Sequence, residues 1–413
     1  MYATTHLFKH LPSSSPWIHQ KADWRPKSCG IRCKASTTPF PLLQISKEHN
    51  LTESKDKNFL YSPCSMQLAL SMLANGAKGS TLEELLAFLE ADTLNQLNSV
   101  ANEMVQNLTQ WAQLSFASGV WLDKSLDIKP EFRTACEKIY RSKAESVDFQ
   151  KKNKEVRGNI NQWAADATNG QIQHFLPEYA VTELTKFVLA NALYFKGKWL
   201  KPFRKSSTKN QDFHLLGGNS VKVPFMSSYK DTQYMETFDE FKVIRLPYRN
   251  CNLSMYIILP HKRDGLWEVA EKMGSDPLFL QKYTSFYGAV EVERLKIPKF
   301  VITHMFKASE VVKALGLKTC FTCDAELSEM VQNLRPGEWL EVNEIYHKSH
   351  IEVDEEGTEA AAVTAIGLCT GDSPPPPVTP VEFVADHPFM FMIRDGANGM
   401  VMFTGHVLNP LLE

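Results

Sequence analysis

Glu355-Glu356-Gly357-Thr358-Glu359-Ala360-Ala361-Ala362-Val363-Thr364-Ala365 decides how this chain is read. Two acids and a glycine come first, then a run of small or β-compatible residues. Gly371-Asp372-Ser373 and four prolines, Pro374 to Pro377, follow. By composition alone this is a flexible surface loop. Yet Thr358, Ala360, Ala362 and Thr364 alternate at period two. Side chains that small can slide between two existing strands without overpacking a core. The stretch therefore reads as a loop able to become a buried strand.

Working outward, the chain has 413 residues, enough for one large domain or two to three ordinary ones. Hydrophobic residues make up 43% and charged residues 22%, the balance of a soluble globular protein. A formal net charge of -2 argues against a nucleic-acid partner, because phosphate affinity needs a basic excess. No run of about 18 apolar residues is present, so no membrane-spanning helix is expected. The 8 cysteines are too sparse for a disulfide scaffold. Cys320-Phe321-Thr322-Cys323 has redox or zinc spacing but no second pair and no nearby histidines, so it reads as two free thiols. Cys29 and Cys33 carry still less signal. No metal and no cofactor are expected.

Residues 1 to about 38 differ from the rest. Lys9, Lys21, Arg25, Lys27, Arg32 and Lys34 stand against a single acid, Asp23, among many serines and threonines. Without an apolar h-region no secretory signal is expected here; the stretch suits an organelle transit peptide or a disordered tail. Asn50, Asn107 and Asn252 each begin a glycosylation sequon, and without a signal peptide no glycan is expected.

The folded part is read from residue 39 to 413. Ser62-Pro63-Cys64-Ser65 opens a helix, and Thr81-Leu82-Glu83-Glu84 has the capping-box form that predicts another start. Leu82, Leu85, Leu86 and Leu89 fall at helical spacing, as do Phe132, Cys136 and Ile139, and Val156, Ile160 and Trp163. Asn169-Gly170 stops the last of these. Phe187 to Phe195 reads as a central buried strand. Phe241 to Leu246 and Leu253 to Leu259 form a hairpin. Val290 to Ile302 is read as one long strand, bent or bulged near Pro298, and Met305 to Leu315 as helix. Phe389 to Ile393 and Met400 to Phe403 make a last hairpin. Helices first and strands later, without βαβ alternation, predict a large α+β domain.

Catalytic motifs are missing. Gly371-Asp372-Ser373 invites comparison with a protease nucleophile, but Pro374 breaks the match. There is no GxSxG elbow, HExxH, P-loop or GxGxxG. His347 and His350 lack a third ligand nearby. A hydrolase is therefore the remote reading.

Several ordered motifs resemble one family, the serpins, and its plant branch in particular. Asn58-Phe59-Leu60-Tyr61-Ser62-Pro63-Cys64-Ser65 resembles the first shutter segment. Asn191-Ala192-Leu193-Tyr194-Phe195-Lys196-Gly197-Lys198-Trp199 resembles the central strand signature. Glu355 to Ala362 resembles the reactive-loop hinge, Phe383 to Phe389 the closing strand and Phe403-Thr404-Gly405 the last. The likeness runs from about Pro41 to Pro410. It implies three β-sheets, eight or nine helices and an exposed reactive-centre loop over about 355–382. It also implies an irreversible suicide-substrate inhibitor of serine or cysteine proteases. The loop is cleaved, an acyl complex forms, and the freed loop inserts into the main sheet. The alternative within the family is a non-inhibitory or substrate-like binding protein. The partner implied is a target protease, with the chain itself a monomer. Extracellular space or cytosol is implied as its location, with the plastid as the alternative from the N-terminal extension.

Residue roles follow from that resemblance. Gly357 is the pivot. Thr358, Ala360, Ala362 and Thr364 face inward on insertion, and Glu359, Ala361 and Val363 outward. Ser62, Ser65, Asn191 and His347 form the shutter. Trp199, Lys299 and Glu355 form the breach, with a Lys299–Glu355 salt bridge at the point of first insertion. The family's usual spacing from Gly357 places the scissile bond at Gly371–Asp372. Leu368, Cys369, Thr370 and Ser373 are the alternative positions. Only Pro41 to Asn50 supply the opening helix, which is shorter than the resemblance implies.

Overall fold

The structure is a computed structural model that describes residues 38–52, 56–111, 114–249, 252–286, 288–335, 337–357 and 381–412. All of these lie within one compact unit, Lys34–Glu413. The N-terminal extension lies outside the described residues up to position 37.

The site is built on a five-stranded sheet. β4 (Phe187–Phe195) is buried at every position, as its near-continuous apolar run demands. On one side it pairs antiparallel with β2 (Leu114–Asp123), which pairs parallel with β3 (Lys143–Val147). On the other side it pairs parallel with β11 (Ile345–Val353), and β11 pairs antiparallel with β10 (Phe300–Lys307). The spatial order is β10-β11-β4-β2-β3.

The remaining strands form a nine-stranded sheet hung on β6 (Ser220–Thr237). One stretch of β6 pairs β5 (Lys209–His214) and β9 (Val290–Pro298), with β12 (Val381–Val384) at the edge. Its last residues, Tyr234 to Thr237, pair β7 (Phe241–Pro247). From there the sheet continues through β8 (Leu253–Pro260), β13 (Phe389–Asp395) and β14 (Val401–Val407) to β1 (Phe59–Tyr61). The three expected sheets are thus the five-stranded sheet and the two halves that share β6. Nine α-helices occur among the described residues, matching the upper expected count.

Two helices grip the five-stranded sheet. α2 (Pro63–Ala74) is buried along its whole length beneath it. Its start follows from chemistry: the Ser62 side chain accepts from Ser65 N (3.1 Å), and Pro63 occupies the first turn, where an N–H is not needed. α6 (Phe149–Ala167) lies on the opposite face, with Asp148 capping Lys151 N at 3.0 Å. Asn169 and Gly170, at φ 52° and 80°, end it as expected. Trp121, Ala190, Ala192 and Tyr346 pack under α6, whereas Val120, Leu189 and Leu193 belong to the main core with α2. Period-two alternation along the strands divides the two faces.

Three readings need correction. Val290 to Ile302 is not one bent strand: Lys299 separates β9 from β10, and the two belong to different sheets. The apolar alternation continues across the switch, so periodicity could not reveal the change of partner. Met305 to Lys307 still pair with β11, and α9 begins only at Ala308 (Ala308–Ala314). Thr81 and Glu84 do not cap a helix start. α3 (Gly79–Phe88) begins earlier, and the Glu326 carboxylate serves its first turn by accepting from Ser80 N (2.8 Å). Thr81 Oγ1 instead accepts from Glu326 N (2.9 Å), and Glu84 accepts from Thr319 N (2.7 Å).

The opening helix α1 spans Phe40–Thr52. Leu42 and Ile45 are fully buried, and Tyr61 Oη donates to Leu42 O at 2.7 Å. Lys47 pairs with Glu271 on α7 (Leu266–Ser275) at 2.7 Å. Cys320 is buried and Cys323 exposed, and both are free thiols.

Candidate functional site: the seam between two parallel strands

The parallel pair β4·β11 is where, among the described residues, two nine-residue strands leave the five-stranded sheet in the same direction beside the 354–357 turn. The chain exits β11 at Val353 and makes a tight turn through Asp354, Glu355, Glu356 and Gly357. Each residue of the turn is tied down. The Trp199 indole Nε1 donates to Asp354 O (2.8 Å), Phe203 N to Glu355 O (2.8 Å) and Trp199 N to Glu356 O (3.3 Å). Trp199 itself is clamped by stacking on Tyr248, centroids 4.5 Å apart.

The Glu355 side chain is 8% exposed, a costly place for a carboxylate without partners. Lys299 Nζ lies 2.8 Å from Oε2, and the Thr208 hydroxyl donates to Oε1 at 2.7 Å. Burial acts to raise its pKa. The Lys299 ammonium and the Thr208 hydroxyl outweigh it and hold the group below the ordinary glutamate value. Glu356 pairs with Lys205 on the other side of the turn.

Gly357 has φ +59°. A Cβ there would overlap Trp199 N and Gly197 O, both backbone atoms. The pivot is therefore glycine for two reasons: the left-handed conformation and the close approach of the 197–199 backbone.

Below the turn, His347 on β11 stands in register with Asn191 on β4. His347 Nε2 accepts from Ser62 N (3.0 Å), so the ring proton resides on Nδ1 and is donated to Asn191 Oδ1 (2.6 Å). Ser349 Oγ donates to the same Nε2 at 2.8 Å. Asn191 Nδ2 donates to Ser65 O (2.7 Å), and Ser65 Oγ to Asn191 Oδ1 (3.3 Å). His347 is fully buried, and burial pushes its pKa from 6.5 down to about 3, so the neutral tautomer is the one present.

On the opposite face the segment after α6 crosses the seam. Lys348 Nζ donates to the carbonyls of Gln173 (2.6 Å) and His174 (3.3 Å), and Tyr346 Oη to Ala180 O (3.4 Å). Asn161 on α6 holds Leu176 through both its amide groups, at 2.6 and 3.2 Å. Lys196–Glu352 at 3.2 Å and the Tyr194–His350 ring pair add cross-seam contacts on that face.

The structure thus brings Ser62, Ser65, Asn191 and His347 together in one cluster and Trp199, Lys299 and Glu355 in another. Thr358, Glu359, Ala360, Ala361, Ala362, Val363 and Thr364 lie outside the described residues. So do all the scissile candidates, Leu368, Cys369, Thr370, Gly371, Asp372 and Ser373. Sequence reading missed Thr208, Phe203 and Tyr248, which meet Glu355 and Trp199 only in the fold. Ser349 was within reach, since it is two residues from His347 on a strand and so shares its face.

Comparison with known proteins places this geometry. The family model described as "Serpin (serine protease inhibitor)" matches residues 41–410. Serpin-Z1B of Triticum aestivum is 41% identical over 389 residues, covering 92% of this chain and 96% of the relative. Serpin-ZX of Hordeum vulgare is 44% identical over 368 residues, covering 86% and 91%. Among solved structures, Arabidopsis AtSerpin1 in its native stressed conformation is 37% identical. It superposes with TM-score 0.83 over 93% of this chain and 100% of that one. A cleaved Serpin 42Da is 28% identical, with TM-score 0.79 over 91% and 98%.

Proposed function

The chain belongs to the serpin family of protease inhibitors, and from that premise we propose that it traps its target protease as a covalent acyl complex by inserting the cleaved loop between β4 and β11. The observation that carries this reading is the parallel β4·β11 seam with Gly357 at its head. A strand that turns back at Gly357 runs antiparallel to both neighbours. One parallel pairing is then replaced by two antiparallel ones, which are the more stable kind. A strand of about ten residues adds on the order of ten hydrogen bonds, each contributing roughly 1 kcal/mol. The closed seam is accordingly held by a barrier, not by equilibrium.

The two clusters supply that barrier. The Lys299–Glu355–Thr208 contacts fasten the top, and the His347–Asn191 bond fastens the middle. Insertion from Gly357 downward meets them in that order.

Incubation with a panel of serine and cysteine proteases, followed by a denaturing gel, tests the reading. A band at the summed mass that survives denaturation supports it; clean cleavage by every protease, without such a band, overturns it. The mass of the released C-terminal fragment identifies the scissile bond among residues 368–373. In the Thr358→Arg variant a charged side chain must enter the core during insertion. It is expected to be cleaved without forming the complex.

A further inference from the structure

Ser118 lies on β2, directly opposite Asn191 in the antiparallel β2·β4 register. Opposed residues of an antiparallel pair share a face, with Cβ atoms about 5 Å apart. Their neighbours fix which face: Ala117, Ala190 and Ala192 pack on the α6 side, so Ser118 and Asn191 both point toward α2. Ser118 is 3% exposed, and its Oγ has no hydrogen-bond partner. An orphan buried hydroxyl beside a fully engaged polar cluster calls for an explanation.

Resting on the insertion reading above, we propose that Ser118 is the reserve partner of Asn191, idle while the seam is closed and engaged once it opens. Opening separates β11 from β4 by one strand width, about 4.8 Å. The His347 Nδ1–H···Oδ1 Asn191 bond cannot survive that displacement, and Asn191 Oδ1 loses its closest donor. β2 remains paired with β4 throughout, because insertion occurs on the other side of β4. The Ser118 hydroxyl therefore travels with Asn191 and carries an unused proton on the correct face. Its effect has opposite signs in the two states. In the closed sheet an unmet buried hydroxyl destabilises; in the opened sheet the same hydroxyl satisfies Asn191. Ser118 is a positioning residue of the shutter, and it favours insertion from both sides of the reaction.

The test compares Ser118→Ala with the unaltered full-length chain, each in two forms: uncleaved, and nicked within residues 358–380 by a protease that is not trapped. Ser118→Ala is expected to raise the unfolding temperature of the uncleaved form by about 2 °C. It is expected to lower the guanidinium midpoint of the nicked form by about 0.2 M. A double-mutant cycle with Asn191→Ala adds a second measure, with coupling expected in the nicked form and none in the uncleaved form. Shifts of the same sign in both forms, or no coupling in the nicked form, overturn the proposal. If nicking fails to raise the stability of the unaltered chain, the insertion reading has failed instead, so the two failures are distinct.

Discussion

Gly357 occupies a position where the backbone refuses a side chain on two independent grounds, a φ of +59° and contact with the 197–199 backbone. Gly357→Ala is expected to destabilise the uncleaved chain by about 2 kcal/mol or more, a fall of about 3 °C in Tm by differential scanning calorimetry. His347 gives a second residue-scale outcome. Its folded pKa is depressed to about 3 from 6.5 by burial. Its contribution is therefore fully present above pH 6.5 and declines as pH falls, because the unfolded chain binds a proton that the native chain does not. The slope from this one group is about 1.4 kcal/mol per pH unit between pH 6.5 and 3. Denaturant midpoints measured from pH 7 to 5 check it, with His347→Gln expected to flatten the dependence. Glu355, also depressed, adds its loss only in the acidic carboxylate range. Acid thus loosens the middle of the seam before its top. Of these groups, Gly357, Glu355, Lys299 and His347 were legible because their identity and order along the chain resemble family motifs. Thr208 and Ser118 were not: a threonine in a polar loop and a serine in an unremarkable strand carry no local signal. Their importance comes wholly from what the fold sets opposite them.

At the scale of elements, the strands and helices that the sequence revealed are those whose apolar pattern starts and stops with the element itself. β4, the β7–β8 hairpin, α5 (Pro130–Lys138) and α6 appear where their apolar patterns place them. β2 escaped because both of its faces are buried from Ala117 to Asp123, which erases alternation, while Ser118 and Gly119 interrupt the continuous apolar run that revealed β4. The β9–β10 boundary escaped because alternation persists through a change of sheet. The segment between α6 and β4 belongs with these elements. It crosses the seam as a strap fastened by Lys348 to two carbonyls and by Asn161 to Leu176. On the proposed mechanism the strap must lift before a strand enters beneath it. Lys348→Met keeps the side-chain length but removes the donor, so the strap is held less firmly. The variant is expected to lose about 1–2 kcal/mol of stability in the uncleaved form. It should also insert its loop several-fold faster after cleavage, read by stopped-flow tryptophan fluorescence of the nicked chain.

For the whole molecule, the proposed mechanism makes the closed state one trapped above its own minimum. Nicking within residues 358–380 is expected to raise the unfolding temperature by about 10 °C or more, since roughly ten hydrogen bonds are added to a domain of this size. Calorimetry of intact and nicked chains reads this directly. No shift, or a fall, would mean that the seam does not take up a strand. The overall class, a large α+β domain, was legible from element order. The pairing of β4 with β11 was not. More than 140 residues separate the two strands, and parallel partners are not announced by any turn between them.

The 358–380 stretch is fixed at both ends, at Gly357 by the turn and at Val381 by the pairing of β12 with β9. While the peptide chain is continuous, any length that goes down the seam must come back to Val381. One covalent bond therefore serves as the latch for the whole molecule, and nothing in the fold can remake it once it is cut. On the proposed mechanism each copy fires once. Its capacity is set by the number of copies present and not by any turnover rate, so the protein acts as a titrant: the dose made by the cell fixes how much protease activity can be removed.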